Sequence, residues 1–99
     1  MDESDSEVER IRGIVAPIAL KYGVERMYLF GSRARGDYTD DSDHDFCIVP
    51  GDIHGLICLS KFMTDLEGAL GTEVDIVFER SASPSFAETI SHERKLIYE

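Results

Sequence analysis

Apolar positions recur first at helical spacing. Val8, Ile11, Val15, Ile18 and Tyr22 share one face of a 3.6-residue period, and Gly23 closes the run. Ser4 to Ser6, followed by Glu7 and Glu9, supply the capping groups and acidic first turn that open a helix. Pro17 lies inside this run. It removes a backbone donor and presses on the carbonyl of Gly13, so the pattern predicts a kinked helix or two short ones. Met27, Tyr28, Leu29 and Phe30 then form a short apolar run ended by Gly31, which predicts a buried strand. A second strand is predicted over 45–49, stopped by Pro50 and Gly51, and a third over 73–78. Apolar residues occupy both faces of these two, as in central strands covered on each side. Between them Leu56, Leu59, Phe62, Leu66 and Leu70 hold helical spacing up to Gly71. Ser83 before Pro84 predicts the cap and first position of a last helix reaching about residue 92. Leu96, Ile97 and Tyr98 predict a terminal edge strand. The fold class is therefore α/β (α+β), a small mixed β-sheet flanked by helices.

Length limits how much else the chain can hold. Its 99 residues suit one domain spanning 1–99, with no room for separate catalytic and recognition domains. Twenty Asp and Glu against ten Lys and Arg give a net charge of −10. Such a surface repels phosphate backbones and argues against direct nucleic-acid binding. Cys47 and Cys58 make no disulfide scaffold, and the three His have no zinc-finger spacing. The first residues are acidic where a signal peptide is basic and then apolar. No apolar run approaches the ~20 residues that span a bilayer, so the expected location is the cytoplasm, with no membrane partner.

The chemistry concentrates between Leu29 and Val49. A strand runs into Gly31 and Ser32, and the chain turns through Arg33, Ala34, Arg35 and Gly36. Small residues at a strand end let backbone N–H groups approach a phosphate, and a helical turn beyond adds a positive dipole end. Two common phosphate motifs are excluded. The P-loop needs lysine after Gly36, where Asp37 stands, and G-x-G-x-x-G fails at Arg33. Further on, Asp43 and Asp45 enter a strand, and alternation puts them on one face roughly 6–7 Å apart. Paired carboxylates can grip a hard divalent cation such as Mg²⁺, which completes its shell with substrate phosphate oxygens. Asp75 is a lone acid inside an apolar strand, costly to bury unless paired or on a metal. If the strands of Asp45 and Asp75 are neighbours, three carboxylates converge beside the turn, as two-metal phosphoryl chemistry needs.

The composite G-S-x-A-R-G, then S-D-x-D at a strand start, then a single Asp on the next strand, resembles the DNA polymerase β-like nucleotidyltransferase superfamily. The short chain and its closing L-I-Y-E are similar to the stand-alone minimal nucleotidyltransferases. The resemblance implies the polymerase β-like nucleotidyltransferase fold. It implies that Gly31, Ser32 and Arg33 hold the nucleotide triphosphate, that Asp43, Asp45 and Asp75 hold Mg²⁺ (two ions), and that Asp75 helps activate the acceptor hydroxyl. ATP is the implied substrate. It further implies an antitoxin whose partner is a HEPN-type toxin, a small helical ribonuclease that receives AMP on a tyrosine. Many relatives carry an aliphatic residue between the two acids and Leu after them, where this chain has His44 and Phe46. Both should point away from Asp43 and Asp45, leaving the acids free.

Plainer readings stand beside these. Asp43 and Asp45 could end a solvated acidic loop, with Asp37, Asp40 and Asp41 just before them. Asp75 could reach water or pair with Arg at a strand edge. Arg33 fits a phosphate contact, whereas Arg35 suits ion pairs to the acidic loop. Tyr38, in that loop, has the shape to stack on a base. His44 reads as a structural side chain, His54 and His92 as surface, and the cysteines as small core hydrophobes. Three functions follow: transfer of a nucleoside monophosphate to an acceptor hydroxyl, a non-catalytic antitoxin that masks its partner, and a nucleic-acid end-modifying polymerase. The last is disfavoured by the acidic surface.

Overall fold

The computed structural model describes residues 3–81 and 83–99. The elements in order are α1 (Glu3–Tyr22), β1 (Arg26–Phe30), α2 (Ser32–Arg35), β2 (His44–Val49), α3 (Gly55–Leu70), β3 (Val74–Phe78), a 3₁₀ turn (Glu79–Ser81), α4 (Pro84–Glu93) and β4 (Lys95–Tyr98). The four strands form one sheet in the order β3-β2-β1-β4. β1 runs antiparallel to both β2 and β4, while β2 and β3 are parallel and joined by α3 as the crossover. The sheet is thus mixed, as expected. Among the described residues no helix is long and apolar enough to cross a membrane.

The core lies on one face of the sheet. Val8, Ile11, Val15 and Ala19 of α1 meet Phe62, Leu66 and Leu70 of α3 over Met27, Leu29, Phe46, Ile48 and Val74. Strand alternation decides which residues join it: His44, Phe46 and Ile48 point into this core, and Asp45 and Cys47 point to the other face. The other face is thinly covered. Phe30 and Cys47, with Tyr28 and Val77 beside them, form a small second cluster, capped by Phe86 of α4 edge-on to Phe30 at 5.7 Å. Residues 83–89 of the last helix are otherwise exposed.

Two expectations need correction. β3, read as a central strand, is an edge strand and only half-buried past Val74. Its apolar run reflects the core on one face and the small cluster on the other, so apolar residues on both faces did not require neighbours on both sides. α1 is one uninterrupted helix despite Pro17. Pro17 and Gly13 are both exposed, so the carbonyl that Pro17 leaves without a donor can hydrogen-bond water. The last helix runs from Pro84, with Ser83 Oγ accepting the Phe86 N–H at 3.2 Å as its cap. The capping expected of Ser4 and Asp5 lies outside the described side chains.

Pro17 gives the first test. Pro17→Ala restores a helical N–H on an exposed face and should stabilise the chain by about 1–3 kcal/mol. Thermal melting reads it as a clear rise in Tm; a fall would mean that Pro17 shapes α1 in a way the core depends on.

Candidate active site

Two aspartates face each other because of strand register. In the parallel pairing of β2 with β3, Asp45 stands opposite Asp75, so both side chains leave the same face of the sheet. That face is the thinly covered one. The Asp45 carboxyl is half-buried and pushed up to about 6 by its burial, then by a hydrogen bond to Asp75 and the negative charges of Asp75 and Asp43, with Arg35 partly offsetting them. Asp43 lies just ahead of β2 and is exposed.

Gly31 sits directly against this pair. It has φ +78°, and a Cβ placed there would collide with Asp45 Oδ2. The glycine at the end of β1 is therefore required twice, by its backbone conformation and by the carboxylate beside it. Ser32 opens α2 and is half-buried, its carbonyl accepting the N–H groups of Gly36 and Asp37 at 2.9 and 3.2 Å.

Arg33 does not have the position expected of a phosphate ligand. It is only 4% exposed. Its Nη1 donates to Glu7 Oε2 at 3.0 Å, and its Nε and Nη2 donate to the Ser42 carbonyl at 3.1 and 2.9 Å. Nη2 also reaches the carbonyls of Thr39 and Asp40 at 3.3 and 3.2 Å, and the guanidinium lies over the Tyr38 ring. The guanidinium thus ties α1 to the 36–43 loop, and its donors are spent within the fold. Arg35 is the exposed arginine of the pair. It donates to Asp37 at 3.3 Å and to the Glu93 carboxylate at 3.4–3.5 Å. These bonds, Asp37 first and then Glu93, raise its pKa above the ordinary value.

Glu7, read from the sequence as an acid of the first helical turn, is buried beside Val8 and Ile11 instead. It pairs with Arg10 as well as Arg33. Burial works against its ionisation, yet the hydrogen bond and charge of Arg10, a hydrogen bond from Tyr38 and the charge of Arg33 outweigh it, holding the carboxyl below 4.5. A cavity of about 690 Å³ opens beside this cluster, lined in part by Glu7, Arg10, Arg33, Tyr38 and Thr72; Asp45 and Asp75 do not line it. His44 is fully buried beneath, its Nδ1 2.5 Å from Thr72 Oγ1 and its ring stacked on Phe46. Burial first, then the charges of Arg33 and Arg10, lowers its pKa to about 4, so it is a neutral structural imidazole. His54 and His92 are exposed, and both cysteines are free.

The expected gathering of three carboxylates is met by two. Among the described residues no three His, Cys, Asp or Glu side chains are grouped to hold a metal ion by themselves. Asp43 acts on Asp45 through its charge from the exposed end of the loop just ahead of β2. Asp45 and Asp75 nonetheless suit Mg²⁺, which needs only one or two carboxylates when water and substrate phosphates complete its octahedron. Two acids in contact, one held partly protonated, are the electrostatic condition that a cation relieves.

A mixed sheet that sets paired aspartates against a strand-end glycine turn defines the class, a phosphoryl-transfer protein. The chain belongs to the polymerase beta nucleotidyltransferase family, whose model matches residues 14–99. It is 35% identical over 86 residues to a Methanocaldococcus jannaschii protein provisionally named protein adenylyltransferase MJ0435, covering 87% of this chain and 92% of that one. It is 33% identical over 73 residues to protein adenylyltransferase MntA of Thermococcus cleftensis, covering 74% of each. Among solved structures, one described as a toxin–antitoxin with AMP-PNP superposes with a TM-score of 0.74 at 25% identity, covering 87% of this chain and 71% of that chain.

Two predictions come from these geometries. Glu7→Gln leaves the buried Arg33 charge without its partner and should cost about 3 kcal/mol by denaturant titration at pH 7. A carboxylate whose pKa is lowered on folding stabilises fully above its unfolded value of 4.5 and loses that contribution as pH falls through the folded-state pKa. The difference between the two chains should therefore shrink in acid; a constant difference from pH 7 to pH 3.5 would exclude an ionised Glu7. Asp45→Asn, by contrast, removes a carboxylate held against its neighbours and should stabilise the metal-free chain by about 1–2 kcal/mol at pH 7. A lower melting temperature for Asp45→Asn would mean that the pair contributes to the fold.

Proposed function

We propose that this chain transfers AMP from ATP to a hydroxyl of a partner protein, a HEPN-type toxin modified on tyrosine, and acts as its antitoxin. The observation that carries the reading is the Asp45–Asp75 pair held in register beside Gly31. Family membership supports nucleotidyl transfer, and the adenylyltransferase names of the relatives and the AMP-PNP neighbour support ATP and a protein acceptor.

In this reading the acceptor oxygen forms a bond to the α-phosphorus while the bond to the pyrophosphate oxygen breaks. The hydroxyl proton passes to a carboxylate, a role that falls to Asp75 as the acid facing Asp45 across the strand pair. The backbone at Gly31 and Ser32 faces the triphosphate. Asp43, Asp45 and Asp75 would hold Mg²⁺, which when bound neutralises phosphate charge and makes the acceptor hydroxyl more acidic. Arg33 acts from behind, fixing the loop that delivers Asp43.

The HEPN-type partner and its tyrosine come from the family resemblance, and charge supports a basic acceptor. Asp75 is exposed, so the carboxylate pair is open to a large acceptor that brings its own surface. A chain of charge −10 favours a basic one, and a ribonuclease built to hold RNA has it. An added AMP puts negative charge where RNA phosphate docks.

The test is to mix the partner toxin with ATP, Mg²⁺ and either wild-type or Asp43→Asn protein, then weigh the toxin. One adenylyl increment per transfer, seen with wild type and lost with the variant or with EDTA, is the expected result. Neutralisation by both chains without a mass change would establish a masking antitoxin instead, and undiminished transfer in EDTA would remove Mg²⁺ from the reaction.

A further inference from the structure

The Glu93 carboxylate occupies the turn that the proposed function assigns to phosphate. Glu93 Oε1 accepts the Gly31 N–H at 3.2 Å. The same carboxylate lies 3.4–3.5 Å from Arg35 Nη1. Its side chain is 21% exposed, while the arginine is 47% exposed. A backbone N–H and a guanidinium converging on one carboxylate are the donors that an anionic oxygen takes. Gly31 is also the residue whose Cα borders Asp45.

Glu93 ends α4, and α4 is lightly held. Residues 83–89 and 91–92 are exposed, and the helix leans on the sheet through Phe86 against Phe30. Its C-terminal end is fastened by the bonds of Glu93, by Arg94 over the Tyr28 ring at 4.1 Å and by the entry of Lys95 into β4. Two anions drawn to the same N–H and guanidinium repel each other, so Glu93 and a phosphate oxygen compete for that place.

We propose that Glu93 is an internal competitor for the nucleotide: α4 closes the Gly31 turn with its own carboxylate, and the triphosphate must displace it to bind. This rests on the reading of that turn as the nucleotide site. It gives α4 two positions, one latched through Glu93 and one released when phosphate takes the Gly31 N–H and Arg35. Selectivity follows, since a ligand must bring enough negative charge to replace a carboxylate, which a triphosphate does and a nucleoside does not.

The experiment is calorimetry of AMP-PNP with Mg²⁺ on wild-type and Glu93→Gln chains, with hydrogen exchange of the α4 amides recorded for the wild type with and without the nucleotide. Removing the competitor should tighten binding about three- to tenfold, the scale of a part-exposed ion pair. Nucleotide should also speed exchange at residues 86–93 of the wild type. Unchanged or weaker binding by Glu93→Gln overturns the competitor. So does unchanged α4 exchange in the wild type, a result that stands even if the variant folds poorly. Either of those outcomes, with wild-type binding intact, leaves the proposed transferase standing. If neither chain binds AMP-PNP, the nucleotide reading of the turn falls and the competitor falls with it.

Discussion

A guanidinium taken out of water keeps its charge and its N–H donors, and all of them must be answered inside the protein. Arg33 is answered by Glu7 from α1 and by the carbonyls of Thr39, Asp40 and Ser42. Two consecutive segments, the turn after β1 and the loop before β2, are thereby joined to the first helix, 26 residues away at Glu7. The loop carries Asp37, Asp40 and Asp41, acids that repel each other, and without a cation beneath it their repulsion would favour an open coil. Where that loop ends decides where β2 begins, and so where Asp43 and Asp45 stand. A buried ion pair of this kind adds little net stability over a well-packed apolar pair. Its effect is to select one path for the loop.

The second constraint is the parallel pairing of β2 with β3. The α3 crossover makes the two strands run the same way, and the register then opposes Asp45 to Asp75. A slip by one residue would bring Asp45 opposite a core-facing position and separate the acids. The fold thus holds two acids together on its less covered face, where burial first, and then the hydrogen bond and charge of Asp75, raise the Asp45 pKa to about 6. Most of the chain's stability comes from elsewhere, from the apolar layer of α1 and α3 on the opposite face. Separation of core and acids onto two faces lets the second face carry an unfavourable arrangement.

The acidic surplus has a similar internal logic. Glu7 answers Arg33, Asp65 receives the Tyr22 hydroxyl at 2.7 Å and Lys21 at 3.3 Å, and Glu93 meets Gly31 and Arg35. Sequence composition counts these acids as surface charge. In the fold several are acceptors that close helix and strand ends, and the charge of Arg35, shared with Asp37 and Glu93, only partly offsets the Asp45–Asp75 pair.

Periodicity determined the helices of α1 and α3 and the strand cores, because a core on one face of the sheet demands apolar residues at 3.6 or 2 spacing, and the Ser83–Pro84 start signal gave α4. The Gly31–Ser32 turn and the aspartates Asp43, Asp45 and Asp75 were also legible, since strand-end glycine and acids in apolar strands are costly without a use. Tertiary structure alone decided the rest. Neither the edge position of β3 nor the continuity of α1 through Pro17 is a local property: one depends on strand order, the other on which side of the helix faces water. Adjacent arginines illustrate the limit best. Arg33 and Arg35 differ by two positions in one turn, yet the first is buried on Glu7 and the second reaches Glu93, partners 26 and 58 residues away. Sequence spacing carries no information on such pairs, because they form only when the sheet has brought α1 and α4 to the same turn.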